Sequence, residues 1–153
     1  MYIQRSYNLE DITKVLRHTL SLSTQEDGDG VPAIPVHDLI HYVLVYSDED
    51  EIVGCYTLIP HNEVTVDIHT NFLPKGYGEL AKGAIPLILY YIFEEVGWKK
   101  AVTEVPAFNR LAHKYVKRTN MKLEGTLSQA FLKDNVLYDV FVYGMTEEEY
   151  KCQ

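Results

Sequence analysis

The hydrophobic and polar positions of this chain change their period several times, which predicts short strands and helices that alternate along the sequence. The clearest two-residue alternation lies within Glu63–Thr70. Its apolar face carries Val64, Val66 and Ile68, and its polar face carries Thr65, Asp67 and His69. Because side chains of a strand point alternately to opposite faces, this segment predicts a strand with one buried and one polar side.

Helical spacing occurs in three segments. Asn8 can cap the first helix, whose apolar residues fall on one face: Ile12, Val15, Leu16 and Leu20. The second helix is predicted over Glu79–Val96 and ends at Gly97, and the third covers Asn109–Thr119. Pro86 lies inside the second helix, where it removes one backbone hydrogen bond and should bend the helix.

The remaining apolar runs predict strands bounded by turn residues. They are Tyr2–Ser6, His41–Ser47, Ile52–Pro60, Ala101–Val105, Leu123–Leu132 and Val136–Tyr143, the last two forming a hairpin about "KDN". The stretch "STQEDGDGVPAIPVHD" is rich in Gly, Pro and Asp, which predicts a loop or broken helix long enough to bind a ligand. The order is therefore β-α-loop-β-β-β-α-β-α-β-β, and without repeats or linkers we expect one domain over residues 1–153.

Composition narrows the classes of function. The chain has 153 residues and is 46% hydrophobic, yet no apolar run reaches the ~20 residues that a membrane span requires. The N-terminus lacks the basic and apolar regions of a signal peptide. Cys55 and Cys152 suggest neither a disulfide framework nor a metal site, so we expect a reducing, cytoplasmic setting. A net charge of −8 argues against a general nucleic-acid binder.

The charge is unevenly distributed along the chain. From Lys75 to Lys122 nine basic residues face four acidic ones, whereas residues 24 to 51 hold eight acids and no Lys or Arg. A basic middle beside an acidic front half suits an anionic cofactor and a cationic or amine-bearing acceptor. Chance clustering on solvated faces explains the same distribution equally well, so charge alone does not choose between them.

A glycine-containing stretch, "LPKGYGELAKGA" at residues 73 to 84, separates a predicted strand from a predicted helix. Gly76 and Gly78 allow close approach of a ligand, and a helix N-terminus after them favours an anion. A flexible turn is the simpler interpretation, because two glycines at this spacing do not by themselves define a phosphate-binding loop.

Three segments in sequence order resemble the GCN5-related N-acetyltransferase (GNAT) superfamily. The segment "VDIHTNFLPKGYGELA" is similar to that superfamily's acetyl-CoA-binding strand, loop and helix. The segment "VPAFNRLAHKYVKRTNMKLEG" resembles its second cofactor segment, and "EGTLSQAFLKDNVLYDVFVYGM" resembles the closing hairpin of the ribosomal-protein N-terminal acetyltransferase subgroup. The resemblance is good over roughly residues 50 to 146, and the N-terminal third matches by element order.

The resemblance implies a fold, a cofactor and the residues that bind it. The fold would be α/β (α+β): a GNAT-like mixed, mostly antiparallel sheet flanked by helices and splayed between strands 4 and 5. Acetyl-CoA would be the cosubstrate, its pyrophosphate facing backbone amides at a helix N-terminus and its pantetheine pairing with the exposed strand. The implied cofactor-binding residues are Lys75, Gly76, Tyr77, Gly78, Glu79 and Asn109. For Asn109, an ordinary helix N-cap is an equally good and compatible interpretation.

The chain also departs from the family's pattern. Pro74 lacks an N–H in the loop, which removes one potential donor. Asn120 replaces a helix-ending glycine, and asparagine tolerates the left-handed conformation required there. Val116 stands where many relatives carry a tyrosine acid, and Tyr115 lies about 100° around the helix from that position. The subgroup with the similar hairpin often lacks this tyrosine too, so its absence does not exclude activity.

Acetyl transfer to an amine requires a group that accepts the amine's proton. Asp67 and His69 share the polar face of the fourth strand, where the family often carries a general base, and His69 is the better acceptor because its pKa is near neutral. Glu104 on the fifth strand is a second candidate. A solvated or core-edge strand position is the simpler interpretation of His69, and an exposed strand position that of Glu104. We predict no metal site, because His37 and His41 straddle a loop-to-strand change without a cysteine partner.

The sequence thus favours an acetyl-CoA-dependent N-acetyltransferase acting on a primary amine of a small molecule or a protein N-terminus. The alternative is a catalytically weak or inactive GNAT-like binding protein, for which the altered loop and the missing tyrosine argue. Small phage-encoded members of this kind occur among virion-assembly genes, which would place the chain in a virion. Besides the amine-bearing acceptor, a homodimer and a virion-assembly partner stay open. No nucleic-acid or membrane partner is expected.

Overall fold

The computed structural model describes residues 1–20, 34–35 and 37–153, and in these seven strands form one sheet in the order β1-β2-β3-β4-β5-β7-β6. Every neighbouring pair is antiparallel except β4 and β5, which are parallel. The strands are β1 (Tyr2–Ser6), β2 (His41–Tyr46), β3 (Ile52–Pro60), β4 (Thr65–Phe72), β5 (Lys100–Pro106), β6 (Lys122–Lys133) and β7 (Val136–Thr146). The predicted fold class, a mixed and mostly antiparallel sheet flanked by helices, is confirmed.

Helices flank this sheet. They are α1 (Leu9–Leu20), α2 (Glu79–Tyr90), α3 (Arg110–Val116) and α4 (Glu147–Lys151), with 3-10 turns at Pro74–Gly76 and Lys117–Thr119 and a π-helical turn at Tyr91–Val96. None of the helices in the described parts of the chain is long and apolar enough to cross a membrane. The hydrophobic pattern did not predict α4. The signal for this helix is a capping box between Thr146 and Glu149 at its N-terminus.

The predicted cap of the first helix and the predicted end of the second are confirmed, whereas α3 ends at Val116 and continues to Thr119 as a 3-10 turn. The side-chain oxygen of Asn8 accepts hydrogen bonds from the backbone of Glu10 at 3.0 Å and Asp11 at 3.3 Å, so Asn8 caps α1. Gly97 ends the π-helical turn in the left-handed conformation, with φ of 88°. Most of the predicted loop at residues 23–38 lies outside the described residues.

The alternating segment differs from its prediction at one end. Val66 and Ile68 are buried, with 0% and 6% exposure, whereas Val64 is 49% exposed and precedes β4. The side chain of Asn62 accepts hydrogen bonds from the backbone of Val64 and Thr65, both at 2.9 Å. This turn rotates Val64 away from the buried face before the strand begins.

The sheet separates two hydrophobic clusters. On the α2 face, side chains of β3 and β4 such as Tyr56, Val66 and Ile68 pack with residues of the helix such as Ile85. On the α1 face, a smaller cluster joins the helix to the first half of the sheet: Ile12, Val15, Leu16, Tyr42, Leu44, Cys55 and Leu73. As far as the structure describes the chain, the α1 cluster contains no residue of β5, β6 or β7.

The strands β4 and β5 separate after a short parallel contact. Their pairing covers only Thr65–Asp67 against Lys100–Val102. Beyond it, the Thr103 hydroxyl donates to the carbonyl oxygen of Ile68 at 2.8 Å, so a side chain replaces the next ladder contact. The splay predicted between strands 4 and 5 is therefore present.

We expect Gly76→Ala to destabilise the fold, because the 3-10 turn before α2 packs directly on β3. A Cβ at Gly76 would overlap the carbonyl oxygen of Val53, and a backbone atom paired within a sheet has little room to move away. Overpacking of this kind typically costs about 1–3 kcal/mol. The measurement is thermal or urea unfolding. Gly125→Ala is the control, since nothing lies within 4 Å of its Cβ position; equal stability of the two variants would contradict the packing argument.

Candidate active site

The splay between β4 and β5 opens a cavity of about 410 Å³. The β4 wall includes His69, and the β5 wall includes Thr103 and Glu104. Apolar side chains of α2, α3, the β6–β7 hairpin and Met121 just before it complete the cavity, among them Ile88, Val116, Leu127 and Val140. The cavity has a size typical of small-molecule sites and combines apolar walls with a few polar groups.

His69 and Asp67 form a hydrogen-bonded pair at this cavity. The His69 Nε2 atom lies 3.0 Å from the Asp67 Oδ2 atom. An ionised carboxylate only accepts hydrogen bonds, so Nε2 carries the proton and the lone pair of neutral His69 is on Nδ1. His61 Nε2 lies 3.7 Å from the same carboxylate oxygen. The arrangement resembles that of an imidazole base oriented by a carboxylate.

The surroundings raise the pKa of His69 above 6.5. The hydrogen bond to Asp67 is the largest cause, and the negative charges of Asp67 and Glu104 act in the same direction, while partial burial acts against them. The side chain of Asp67 is only 14% exposed, and its Oδ1 atom is buried with no hydrogen-bond partner in the described residues. Asp67 thus directs its charge mainly toward His69.

The three sequence-predicted candidates for proton transfer lie together. Asp67 pairs with Val102 across the short parallel contact. Because residues two apart on a strand share a face, His69 and Glu104 lie on the same face as Asp67. Glu104 is exposed on the opposite wall of the cavity. The structure therefore brings one imidazole and two carboxylates to one place, and their catalytic roles stay predictions.

Gly76 and Gly78, the two glycines before α2, have different structural roles. The amides of Gly76 and Tyr77 already donate to the carbonyl oxygens of Leu73 and Pro74, at 2.8 Å and 3.2 Å. Gly78 is the N-cap of α2 with φ of 78°, a conformation that favours glycine. The first amide donor bonded back to this N-cap is that of Lys82, at 3.0 Å.

The backbone amides that are available to an anion thus come slightly later in the chain than the sequence indicated. The N–H groups of the first turn of a helix have no intrahelical acceptor, which here applies to Gly78, Glu79, Leu80 and Ala81. Pro74 starts the 3-10 turn, where a missing N–H is tolerated. Lys75 forms an exposed ion pair with Glu51 at 3.2 Å, so its charge is partly neutralised in this structure.

Asn109 caps α3, which confirms one of its two compatible interpretations. Its side-chain oxygen accepts a hydrogen bond from the backbone of Ala112 at 3.0 Å, and the residue also lines the cavity. The cap occupies the oxygen only, and the side-chain NH₂ group keeps its two donors for another partner.

Sequence reasoning missed a pair of tyrosines in the cavity wall. The hydroxyls of Tyr56 and Tyr115 lie 2.6 Å apart, and burial raises the pKa of Tyr115 to about 12. Both line the cavity, as does Val116, which is 2% exposed. Nothing in the sequence indicated this pair, because the two residues are 59 positions apart and meet only when α3 packs against β3.

The histidine pair considered for a metal has other partners. His37 Nδ1 accepts a hydrogen bond from the backbone of Leu39 at 3.1 Å. The Nδ1 atom of His41 lies 2.9 Å from the Tyr91 hydroxyl, and burial lowers the pKa of His41 to about 4. In residues 1–20, 34–35 and 37–153 no group of three His, Cys, Asp or Glu residues is arranged to hold a metal ion.

Comparison with solved structures identifies the fold. A chimera of spermidine N-acetyltransferase SpeG from Vibrio cholerae and hSSAT superimposes with a TM-score of 0.83 at 17% identity, over 99% of each chain. The spermidine N-acetyltransferase from Vibrio cholerae in complex with CoA and spermine gives 0.69 at 20% identity, over 74% of this chain and 69% of that one. No protein-family model and no curated protein sequence matches the chain. The GNAT fold expected from the sequence motifs is confirmed.

We expect Asp67→Asn to lower the pKa of His69, because it removes the largest cause of the upward shift. Glu104→Gln should lower it less, since Glu104 acts through its charge only. A histidine titration by NMR measures both. The raised pKa also means that protonated His69 stabilises the fold below pH 6.5, a contribution lost as the pH rises through the folded pKa. An unchanged His69 pKa in Asp67→Asn would contradict the pair.

Proposed function

We propose that this chain, as a single domain over residues 1–153, is an acetyl-CoA-dependent N-acetyltransferase that modifies a primary amine. One observation carries the proposal: the cavity of the splayed sheet has His69 and Glu104 in its walls, Asp67 is hydrogen-bonded to His69, and a helix N-terminus with available amides follows β4. Such a cleft suits a long ligand with an anionic end and a reactive end. The fold shared with N-acetyltransferases supports the same reaction class.

Acetyl-CoA fits the donor groups of this chain. The N–H groups of Gly78–Ala81, together with the helix dipole, favour its pyrophosphate. The edge of β4 beyond Asp67 is not paired with β5, which leaves a strand edge beside which the pantetheine arm can lie. Asn109 contributes its side-chain NH₂ group from the cavity wall. The structurally similar spermidine N-acetyltransferase from Vibrio cholerae has been solved in complex with CoA.

The residues of the site would then act as follows. His69, through Nδ1, takes one proton from the protonated amine, and Asp67 stabilises the resulting imidazolium. The lone pair of the neutral amine forms the new C–N bond at the thioester carbonyl carbon, and the C–S bond breaks with its electron pair going to sulfur. The nitrogen's second proton passes through water to the departing thiolate, which gives free CoA, and His69 releases the first proton to solvent. We assign no protein proton donor to the thiolate, because Val116 has no ionisable group.

The acceptor is a primary amine of a small molecule or a protein N-terminus. Two acids beside His69 favour an amine that arrives as a cation. Membership of the ribosomal-protein subgroup and a cytoplasmic location stay predictions from the sequence.

A second candidate is a GNAT-like binding or assembly protein without turnover. The observation that favours it is Val116, which is buried where relatives keep the tyrosine acid. Such a protein would bind its partner through the same fold, as expected for a virion-assembly role.

We expect Glu79→Pro to weaken acetyl-CoA binding. Glu79 is the first residue of α2, a position that tolerates proline, so the change deletes one N–H while keeping the helix. A hydrogen bond to a charged group contributes about 1.5–3 kcal/mol, so the loss should be roughly 10- to 100-fold by calorimetry. Glu79→Ala is the matched control: it also removes the carboxylate but keeps the N–H. Equal affinities of the two variants would exclude these amides as the pyrophosphate site.

We expect free CoA to be released when acetyl-CoA is mixed with an acceptor amine, and His69→Gln to slow this release by about 10²–10⁴-fold, the usual contribution of a general base. The wild-type rate should rise with pH through the raised pKa of His69, because only neutral His69 accepts a proton. His37→Gln is the control. A wild-type rate in His69→Gln would refute the assignment of the base, and acetyl-CoA binding without CoA release from any amine would favour the second candidate.

A further inference from the structure

We propose that the preferred acceptor is a monoamine carried on an aromatic or branched apolar group, rather than a polyamine. This inference rests on the proposed function, since it names the substrate class of the same site. It is carried by the wall of the cavity that the β6–β7 hairpin supplies and by the small number of charges that the cavity contains.

The hairpin wall lies on the face of the sheet that carries the candidate base. Pro106, two residues after Glu104, pairs with Val140 on β7, and Val140 pairs with Leu127 on β6. Cross-strand partners share a face, so Val140 and Leu127 extend the face of Glu104 across the sheet. Val105, in contrast, packs into the α2 cluster on the other face.

This wall is apolar. Val140 is buried at 4% exposure, Leu127 is 44% exposed, and Ala130 and Phe131 also line the cavity. A bulge in β6 between Leu127 and Phe131 shapes the wall, and Phe108 packs against Phe131 with ring centroids 5.5 Å apart. An aliphatic or aromatic group of the substrate would be stabilised by burying the exposed surface of Leu127. A chain that carries ammonium groups would instead lose favourable hydration there.

The charges of the cavity suit a single ammonium group. Among its described lining residues Glu104 is the only acid, and there is no Lys or Arg. Asp67 is the only further acid assigned to the site, and its carboxylate is engaged by His69. A polyamine would place its additional ammonium groups against the hairpin wall without a carboxylate partner, which is costly. An acceptor bearing a carboxylate would meet Glu104 without a compensating cation.

The size of the cavity limits the apolar group. About 410 Å³ includes the space between β4 and β5 that the pantetheine arm would take. Because the pantetheine arm would take part of this volume, we limit the proposal to a small apolar group and use phenylethyl as the probe. The same chemistry occurs in a free arylalkylamine and in a peptide whose N-terminal residue is aromatic, so both belong in the test.

The test compares kcat/KM for 2-phenylethylamine, a peptide amide beginning with phenylalanine, ethylamine and spermidine. We expect 2-phenylethylamine or the peptide to exceed both ethylamine and spermidine by roughly 10-fold or more, the usual discrimination of an apolar pocket. Whichever of these two substrates has the larger kcat/KM shows whether the acceptor is a free arylalkylamine or a peptide N-terminus. A higher value for spermidine than for either aromatic amine would overturn the proposal.

A pair of variants tests the wall itself. Leu127→Asp places a carboxylate on it and should lower kcat/KM for the aromatic amines by about 10-fold or more while raising it for spermidine. Leu137→Asp is the matched control: Leu137 is 53% exposed on the same hairpin, and it is not a lining residue. Equal effects of the two substitutions would overturn the assignment of the wall.

Calorimetry of 2-phenylethylamine with the complex of the protein and CoA separates this inference from the proposed function, because it involves no turnover. Binding that Leu127→Asp weakens and Leu137→Asp does not would support the amine site even if no acetyl transfer is detected. Turnover of all amines at similar kcat/KM, with no measurable binding preference, would leave the acetyltransferase proposal standing and refute the apolar acceptor.

Discussion

The early end of the pairing between β4 and β5 is the constraint on which the site depends. The two strands share only three residue pairs, yet neither strand is left unsupported. Along its other edge β4 pairs with β3 from Val66 to Phe72, and β5 pairs with β7 from Lys100 to Pro106. Because each strand is held by its outer neighbour, the two can diverge without unfolding, and the cavity between them needs no opening motion.

The opening also determines how charge is arranged. Backbone N–H groups are available at the start of α2, whereas Asp67 and Glu104 supply negative charge beside His69. A ligand with an anionic end is therefore favoured in one orientation only. Asp67 has a particular role in this arrangement, since it is 14% exposed and its hydrogen bond to His69 raises the pKa of the imidazole. The same carboxylate that orients the base also makes it a stronger one.

The departures from the GNAT motifs that the sequence resembles have local physical explanations. Pro74 begins a 3-10 turn, and the amides that follow it are bonded within that turn, so the missing donor affects the turn rather than the first turn of α2. Asn120 adopts φ of 63°, the left-handed conformation that the usual glycine would supply. Val116 remains a real difference, because the tyrosine hydroxyl beside it, on Tyr115, is hydrogen-bonded to Tyr56.

The sequence by itself determined the order of the elements up to β7 and the polar face of β4, because hydrophobic period, capping residues and turn residues act over a few neighbouring positions. Asn8 as a cap, Gly97 as a helix end and Asp67 with His69 on one face all follow from such local rules. It did not reveal which amides of residues 76–81 are available, because that depends on the hydrogen bonds of a 3-10 turn packed on β3. Only the tertiary structure decided that Tyr56 meets Tyr115 and that Leu127 and Val140 extend the face of Glu104. These contacts join residues far apart in the chain, and they depend on strand register and helix packing that no local pattern records.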